Sequence, residues 1–486
     1  MRTIIVEPKR LAWAAVDKDT FEQLISRLED LNSFLIALLD KSQLQRLQDT
    51  INTSYLELLQ IRNDVGSLTD LVKALTPPVR ESPAGWHPES WNYFPSRAAA
   101  EETAEETKKR EYLKQLVDIK IQFAKMDQLS TNGTAGIGIR EFPITPPLSL
   151  DEFRFHDGLL DPDDLPRRSN ALYRGSSIWV EWKRISATEN SRPAVDGVRV
   201  RISLLTDLLC RAIPTGFRAP PCLGYVENVD SNDETRFGIV FNNMAMNGSP
   251  CELISVYELL AREQKPSLTK RMALCAALAR SVYAFHSVNW LHKGLRSDNI
   301  IFFASSPDCV DLTAPYVSGF ELSRPSIVEG MTEKPKFDPL QDIYRHPYAQ
   351  STQTDGSYRK SYDIYSLGII LIEIALWAPI EQIVGITDLS RSKPSVLQDL
   401  RQSLLGRTSF MLEHSLPSIP GAWACLQQVD AACGELFRNV VQCCLIADEI
   451  ERREYPAEPE SAVALRLQRV TEWDIMKRLE CIAHAL

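Results

Sequence analysis

No cysteine precedes Cys210 in this 486-residue chain, and the ten from there to Cys481 contain no C-x-x-C pair. That excludes a zinc ribbon and a disulfide-stapled secreted domain, and it fits reduced, mostly buried thiols in a cytoplasmic protein. The opening MRTIIVEPKRLAWAAVDKDTF holds no apolar run of the kind a signal peptide needs. The most apolar segment, YSLGIILIEIALWAPI, carries Glu373 and is short for a bilayer, so a buried core helix is expected there. Acidic residues outnumber basic ones, 64 to 54. A formal net charge of −10 argues against nucleic acid as the main partner, while leaving room for a local basic patch. Gly133, Gly136 and Gly138 follow no strand pattern and precede no Lys-Ser/Thr, so they read as a flexible linker and not as a phosphate loop. Residues 1–130 show no helix face that combines Lys/Arg with aromatics for lying on a membrane.

What is present has the composition of a globular protein, 44% hydrophobic and 24% charged, enough to bury several cores. Phe21, Leu24, Ile25, Leu28, Leu31, Leu35, Leu38 and Leu39 recur at three- and four-residue steps, the pattern of one helix face. Leu44, Leu47, Ile51, Tyr55, Leu58 and Leu59 repeat it, and Leu68, Leu71, Val72 and Leu75 form a shorter set. TPPVRESPAGWHP then breaks regular structure, and a long charged helix follows with Tyr112, Leu116, Ile119, Phe123 and Met126 in heptad-like register. The expected organisation is a helical bundle or hairpin over 1–80, a Pro-broken loop and long helix over 81–130, and a linker over 131–149. Beyond 150, strand-like SSIWVEWKRIS and RFGIVFNN come first and helix-rich sequence after, an α+β region of two lobes.

That region carries an ordered series of motifs. VEWK ends in Lys183; HKGLRSDN supplies His292, Lys293, Gly294, Leu295 and Asn299; VSGFELSRP supplies Gly319, Phe320 and Glu321. YRHPYA begins at Tyr344, and SYDIYSLG supplies Asp363 and Gly368. In this order they resemble the V-A-I-K, H-R-D-L-x-x-x-N, D-F-G and D-x-x-S-L-G segments of protein kinases over residues 150–486. The resemblance implies a β-rich N-lobe and a helical C-lobe, with Lys183 and Asn299 at a nucleotide site and Asp363 and Gly368 anchoring the fold.

The departures fall on the chemistry. Phosphoryl transfer needs an Asp at the substrate hydroxyl and carboxylates around magnesium. Gly294 stands at the first place and Gly319 at the second. No glycine lies between Gly158 and Gly175 to form a phosphate-covering loop, and the helix expected after RPAVDGVRV offers only Asp207 as a partner for Lys183. No residue is therefore assigned to catalysis, and the pattern implies a pseudokinase. ATP is the cofactor such a site would take, without magnesium. Asp298 and Glu321 are either stand-in ligands or solvated loop charges. Lys183 either grips a phosphate or packs the lobes, and His292 is expected to pack. The other reading is an active, atypical Ser/Thr protein kinase that binds ATP.

KRLAWAAVDKDTFEQLISRLEDLNSFLIALLD resembles the later helices of the HeLo (prion-inhibition and propagation) domain of filamentous-fungal proteins, with the kinase-like region following as in that group. The resemblance implies a signalling protein of incompatibility or cell death whose pseudokinase holds or releases the helical region. Its partners would be other proteins, or further copies of itself through the helices. The family's apolar first helix is missing from the pattern, so a membrane role is expected only if further helices lie upstream of Met1. A helical scaffold that simply packs against the kinase-like region is the other reading of the N-terminal part.

Overall fold

A computed structural model describes residue 27 and residues 41–75, 104–131, 146–155, 167–184, 192–210, 215–229, 235–243, 251–262, 264–325, 337–350, 358–407, 419–452, 454–455 and 457–486. The expected helical set from Phe21 to Leu39 and the first half of the stretch between Gly158 and Gly175 lie outside the described residues. The chain divides into two compact units, Met1–Met126 with Pro459–Leu465, and Asp127–Glu458 with Arg466–Leu486. Among the described residues, no helix is long and apolar enough to cross a membrane.

The first unit contains α1 (Lys41–Ile61), α2 (Val65–Leu75) and most of α3 (Ala104–Thr131). Asp64 starts α2 by accepting from the Ser67 amide at 2.8 Å, which satisfies a donor the helix start would leave open. Leu68, Leu71 and Leu75 then fall on one buried face. Along α3, Leu113, Leu116, Val117, Phe123 and Ala124 form the buried seam. Lys120 lies within that seam, fully buried, and its ammonium donates to the carbonyls of Leu59 and Gln60 in the last turn of α1. The last carbonyls of a helix lie beyond the reach of its regular amide pairing, and a cation suits the negative end of its dipole.

In the second unit, β1 (Phe153–Phe155), β2 (Arg168–Tyr173), β3 (Ser176–Arg184), β4 (Cys222–Val229) and β5 (Thr235–Asn242) form an antiparallel sheet in the order β1-β2-β3-β5-β4. Alternation along β3 sends Ile178, Val180 and Trp182 into a core with Ala171, Val226 and Val240. It leaves Glu181 and Lys183 on the opposite face. Helix α4 (Arg192–Cys210) covers that face, packing Val195 and Ile202 on Tyr225 and Phe237. Two corrections follow. RPAVDGVRV lies inside α4 and not ahead of it, so Asp196 joins Asp207 as an acid of this helix, and it pairs with Arg199 one turn on. The expected linker also ends before 149: the Leu148 amide donates to Tyr225 O at 2.8 Å, and its side chain packs on the sheet core.

The rest of the unit is mainly helical, as the α+β reading expects. Helix α5 (Leu268–Ser287) lies against α6 (Lys360–Leu376), in which every residue from Ser361 to Ala375 is buried. Gly368 lets α7 (Glu435–Leu445) approach closely, since a Cβ there would stand 2.8 Å from that of Cys444. Two small pairings position the loops that matter. β6 (Glu252–Ser255), β8 (Ile300–Ala304) and β9 (Tyr316–Val317) make one sheet, and β7 (Trp290–Leu291) pairs β10 (Arg324–Pro325). Together they clamp residues 292–299 beside residues 318–323.

Candidate functional site

The loop from His292 to Asn299 hangs on Asp363. Its carboxylate, buried in the first turn of α6, accepts from the amides of His292 at 2.8 Å and Lys293 at 2.9 Å. It also accepts from the Tyr358 hydroxyl at 2.9 Å and faces His286 Nε2 at 3.3 Å. Lys293 takes a left-handed φ of 65° to bring both amides to one carboxylate. His292 is fully buried between the rings of Phe285 and Phe320, and burial pushes its pKa down to about 4. Its Nδ1 accepts from the Gly294 amide at 3.3 Å. His292 packs within an aromatic cluster that Phe320 and Trp290 complete.

Asn299, Gly294 and Gly319 come together. Asn299 Nδ2 donates to Gly294 O at 2.5 Å, and a Cβ built on Gly319 would fall inside the Asn299 carboxamide. Gly319 also has a left-handed φ of 83°. The space a side chain at position 319 would take is thus filled by Asn299, in a backbone conformation that favours glycine.

The charges here are paired internally. Arg167 and Arg168 enter from the start of β2. Arg167 binds the Asp298 carboxylate, Asn299 Oδ1 at 2.5 Å and Glu321 Oε1 at 3.4 Å. Arg168 binds Glu181 Oε1 at 3.0 Å, Asp298 O at 2.9 Å, Asn299 Oδ1 at 3.0 Å and Ser318 Oγ at 2.9 Å. Glu181 also accepts from the Gly319 amide at 3.0 Å, and Lys183 Nζ donates to Glu321 O at 3.4 Å. Arg296 lies 3.2 Å from Asp298. Against burial, which raises both carboxyls, Arg168, Arg167 and Arg296 hold Asp298 below its ordinary value. Arg167 and Arg296 likewise hold Glu321 at about 2.

Among the described residues, four cations, Arg167, Arg168, Lys183 and Arg296, thus face three carboxylates, Glu181, Asp298 and Glu321. Magnesium does not fit this arrangement, because each carboxylate it would need already answers a guanidinium. Lys183, Asn299, Gly319 and Glu321 lie close together, and with them the arginine pair and Glu181, which no motif spacing indicates. The signal for the pair was Arg167-Arg168 at the head of a strand, yet strict alternation argues against two neighbours reaching one place. Arg167 precedes β2, where alternation does not yet apply.

Comparison with known proteins finds likeness over parts of this chain. Residues 3–71 match HeLo, described as prion-inhibition and propagation. Residues 242–483 match a domain of unknown function, DUF7580, a span that contains Asn299, Gly319 and Asp363. The human mixed lineage kinase domain-like protein is 31% identical over 131 residues. That stretch covers 26% of this chain and 26% of the human protein, so only about a quarter of each is matched.

Proposed function

We propose that residues 150–486 form a kinase-like domain without phosphotransfer activity that acts as a protein-interaction switch, coupled to a HeLo-like helical region in cell-death or incompatibility signalling. The HeLo match and the similarity to the mixed lineage kinase domain-like protein support the pathway class. On this reading the protein works in the cytoplasm, and its partners are proteins or further copies of itself. The kinase-like part of the reading draws on the sheet that carries Lys183 and on the Asp363 anchor beneath the His292 loop.

One observation carries the loss of activity: Asn299 fills the space a metal-binding Asp would need at Gly319, while Arg167 and Arg168 take up the nearby acids. A kinase transition state is stabilised mainly by position and by cations held on carboxylates, and among the described residues no uncommitted carboxylate stands at this place. The two residues expected at a nucleotide are engaged as well, Asn299 at both ends of its amide and Lys183 on Glu321 O.

The test is thermal unfolding of the full chain with ATP, with and without magnesium, beside Lys183→Ala, together with a phosphotransfer assay. A ligand that binds the native state raises the midpoint. The expected result is no magnesium-dependent rise and no phosphate incorporation. A magnesium-dependent rise lost in Lys183→Ala, with transfer to protein, would establish an active kinase instead.

A further inference from the structure

Helix α4 and strand β4 run antiparallel and touch at successive levels. Arg199 of α4 makes a two-pronged ion pair with Glu227 of β4, at 2.9 and 2.6 Å. Ile202 then packs on Tyr225. From Arg199 to the last helical residue, Cys210, the helix advances about 16 Å. From Glu227 back to Cys222 the strand covers about the same length. The next matching level is therefore Cys210 opposite Cys222.

A β-bulge completes the match. The register runs Tyr225 opposite Ile239, Gly224 opposite Val240 and Cys222 opposite Phe241, which leaves Leu223 as the extra residue. Uninterrupted alternation from Tyr225 would put Leu223 toward α4 and Cys222 on the far face. The bulge reverses this: Leu223 is 39% exposed, and Cys222 shares the helix-facing side with Phe241 and Phe237. Cys210 is exposed and Cys222 is buried. A hydrogen bond from the Cys222 side chain lowers the Cys210 thiol, with burial and Asp207 opposing, while burial pushes Cys222 up.

We propose that Cys210 and Cys222 are a redox modification site, a thiol pair that a hydroperoxide converts to a disulfide joining the end of α4 to the start of β4. The accessible Cys210 thiolate attacks the terminal peroxide oxygen. The O–O bond breaks, the alcohol (or water) leaves with a proton, and Cys210 becomes a sulfenic acid. The Cys222 sulfur then attacks the Cys210 sulfur, and hydroxide leaves with the Cys222 proton as water. In sum, two thiols and one hydroperoxide give one disulfide, one alcohol and one water. The bond would fix the far end of a helix whose near end is already held by Arg199 and Glu227.

The experiment uses the reduced full chain and one equivalent of hydrogen peroxide. Intact mass should fall by two hydrogens without a change in chain number. Trypsin should release residues 202–211 joined to residues 219–236, a species reversed by dithiothreitol. Cys210→Ser should abolish it, and Cys309→Ser should leave it unchanged, since the exposed Cys309 thiol is hydrogen-bonded to Ser306 and Ser305. Because Cys210 is exposed, its serine variant tests the idea even if Cys222→Ser fails to fold. Recovery of Cys210 as a sulfinic acid with Cys222 still a free thiol would overturn the proposal. So would linkage of Cys210 to any other cysteine.

Discussion

Glu373 is a carboxyl with no place for its charge. It is fully buried in α6, accepts from the Tyr344 hydroxyl at 2.7 Å and the Ile380 amide at 2.9 Å, and burial raises its pKa to about 8. The native state then keeps a proton that the unfolded chain releases above about 4.5. Stability from this group falls as pH rises from 4.5 to 8, by about 1.4 kcal/mol per unit. Glu373→Gln keeps an acceptor for both donors and removes the titration. Urea unfolding of both proteins at pH 5 and pH 7 isolates the term: the variant should gain about 2–3 kcal/mol relative to wild type between these conditions. Equal pH slopes would mean that Glu373 does not hold the proton. The burial that drives Lys360 down to about 7 and His292 down to about 4 affects both proteins alike and cancels. Gly319 allows a second check at this scale. With a left-handed φ and the Asn299 amide where a Cβ would go, Gly319→Ala should cost about 2–4 kcal/mol in thermal unfolding. Gly294→Ala should cost less, since its Cβ meets Gly319 O at 3.0 Å. Equal costs would remove the argument that Asn299 occupies the metal-ligand position.

At the level of elements, sequence was legible where a period imposed it. The second and third leucine sets correspond to α1 and α2, and the strand-like runs around Val180 and Val240 are paired neighbours in the sheet. The charged helix also formed, but its seam shows the limit of periodicity. Lys120 lies on the buried face, and nothing in the spacing says that a lysine there is matched by carbonyls about sixty residues away. Long-range pairing of this kind exists only after the helices pack. Lys120→Met keeps the stem's volume and takes away the donor, leaving the carbonyls of Leu59 and Gln60 without it. The expected cost is about 1–3 kcal/mol, read as an earlier loss of helical circular dichroism on heating. A neutral result would show that the carbonyls do not depend on the ammonium. The bulge at Leu223 and the strand-like end of the linker were invisible for a related reason: both are set by register with β5 and Tyr225, not by their own residues.

On the scale of the whole molecule, the site joins pieces far apart in sequence: Arg167 and Arg168 from one strand, Glu181 from the next, and the loops around Asp298 and Glu321. The loops were legible because motif spacing is local, and the arginines were not, because their partners in those loops lie more than a hundred residues away. Removing both guanidiniums therefore inverts the local balance, from four cations facing three carboxylates to two facing three. Breaking a buried charge pair from one side costs about 3–5 kcal/mol because the remaining charge keeps its desolvation penalty. The double variant Arg167→Ala, Arg168→Ala should melt earlier than wild type in a chelating buffer. It should also recover part of that loss in millimolar magnesium, because Glu181, Asp298 and Glu321 then face a space with net negative charge, and a hard dication takes oxygen ligands. Wild type should show no such recovery. If magnesium raises both midpoints equally, the cation binds elsewhere and the arginine pair is not what keeps it out. If the variant melts early and magnesium does nothing, the carboxylates are too far apart to share an ion, and Asn299 at Gly319 is the stronger block.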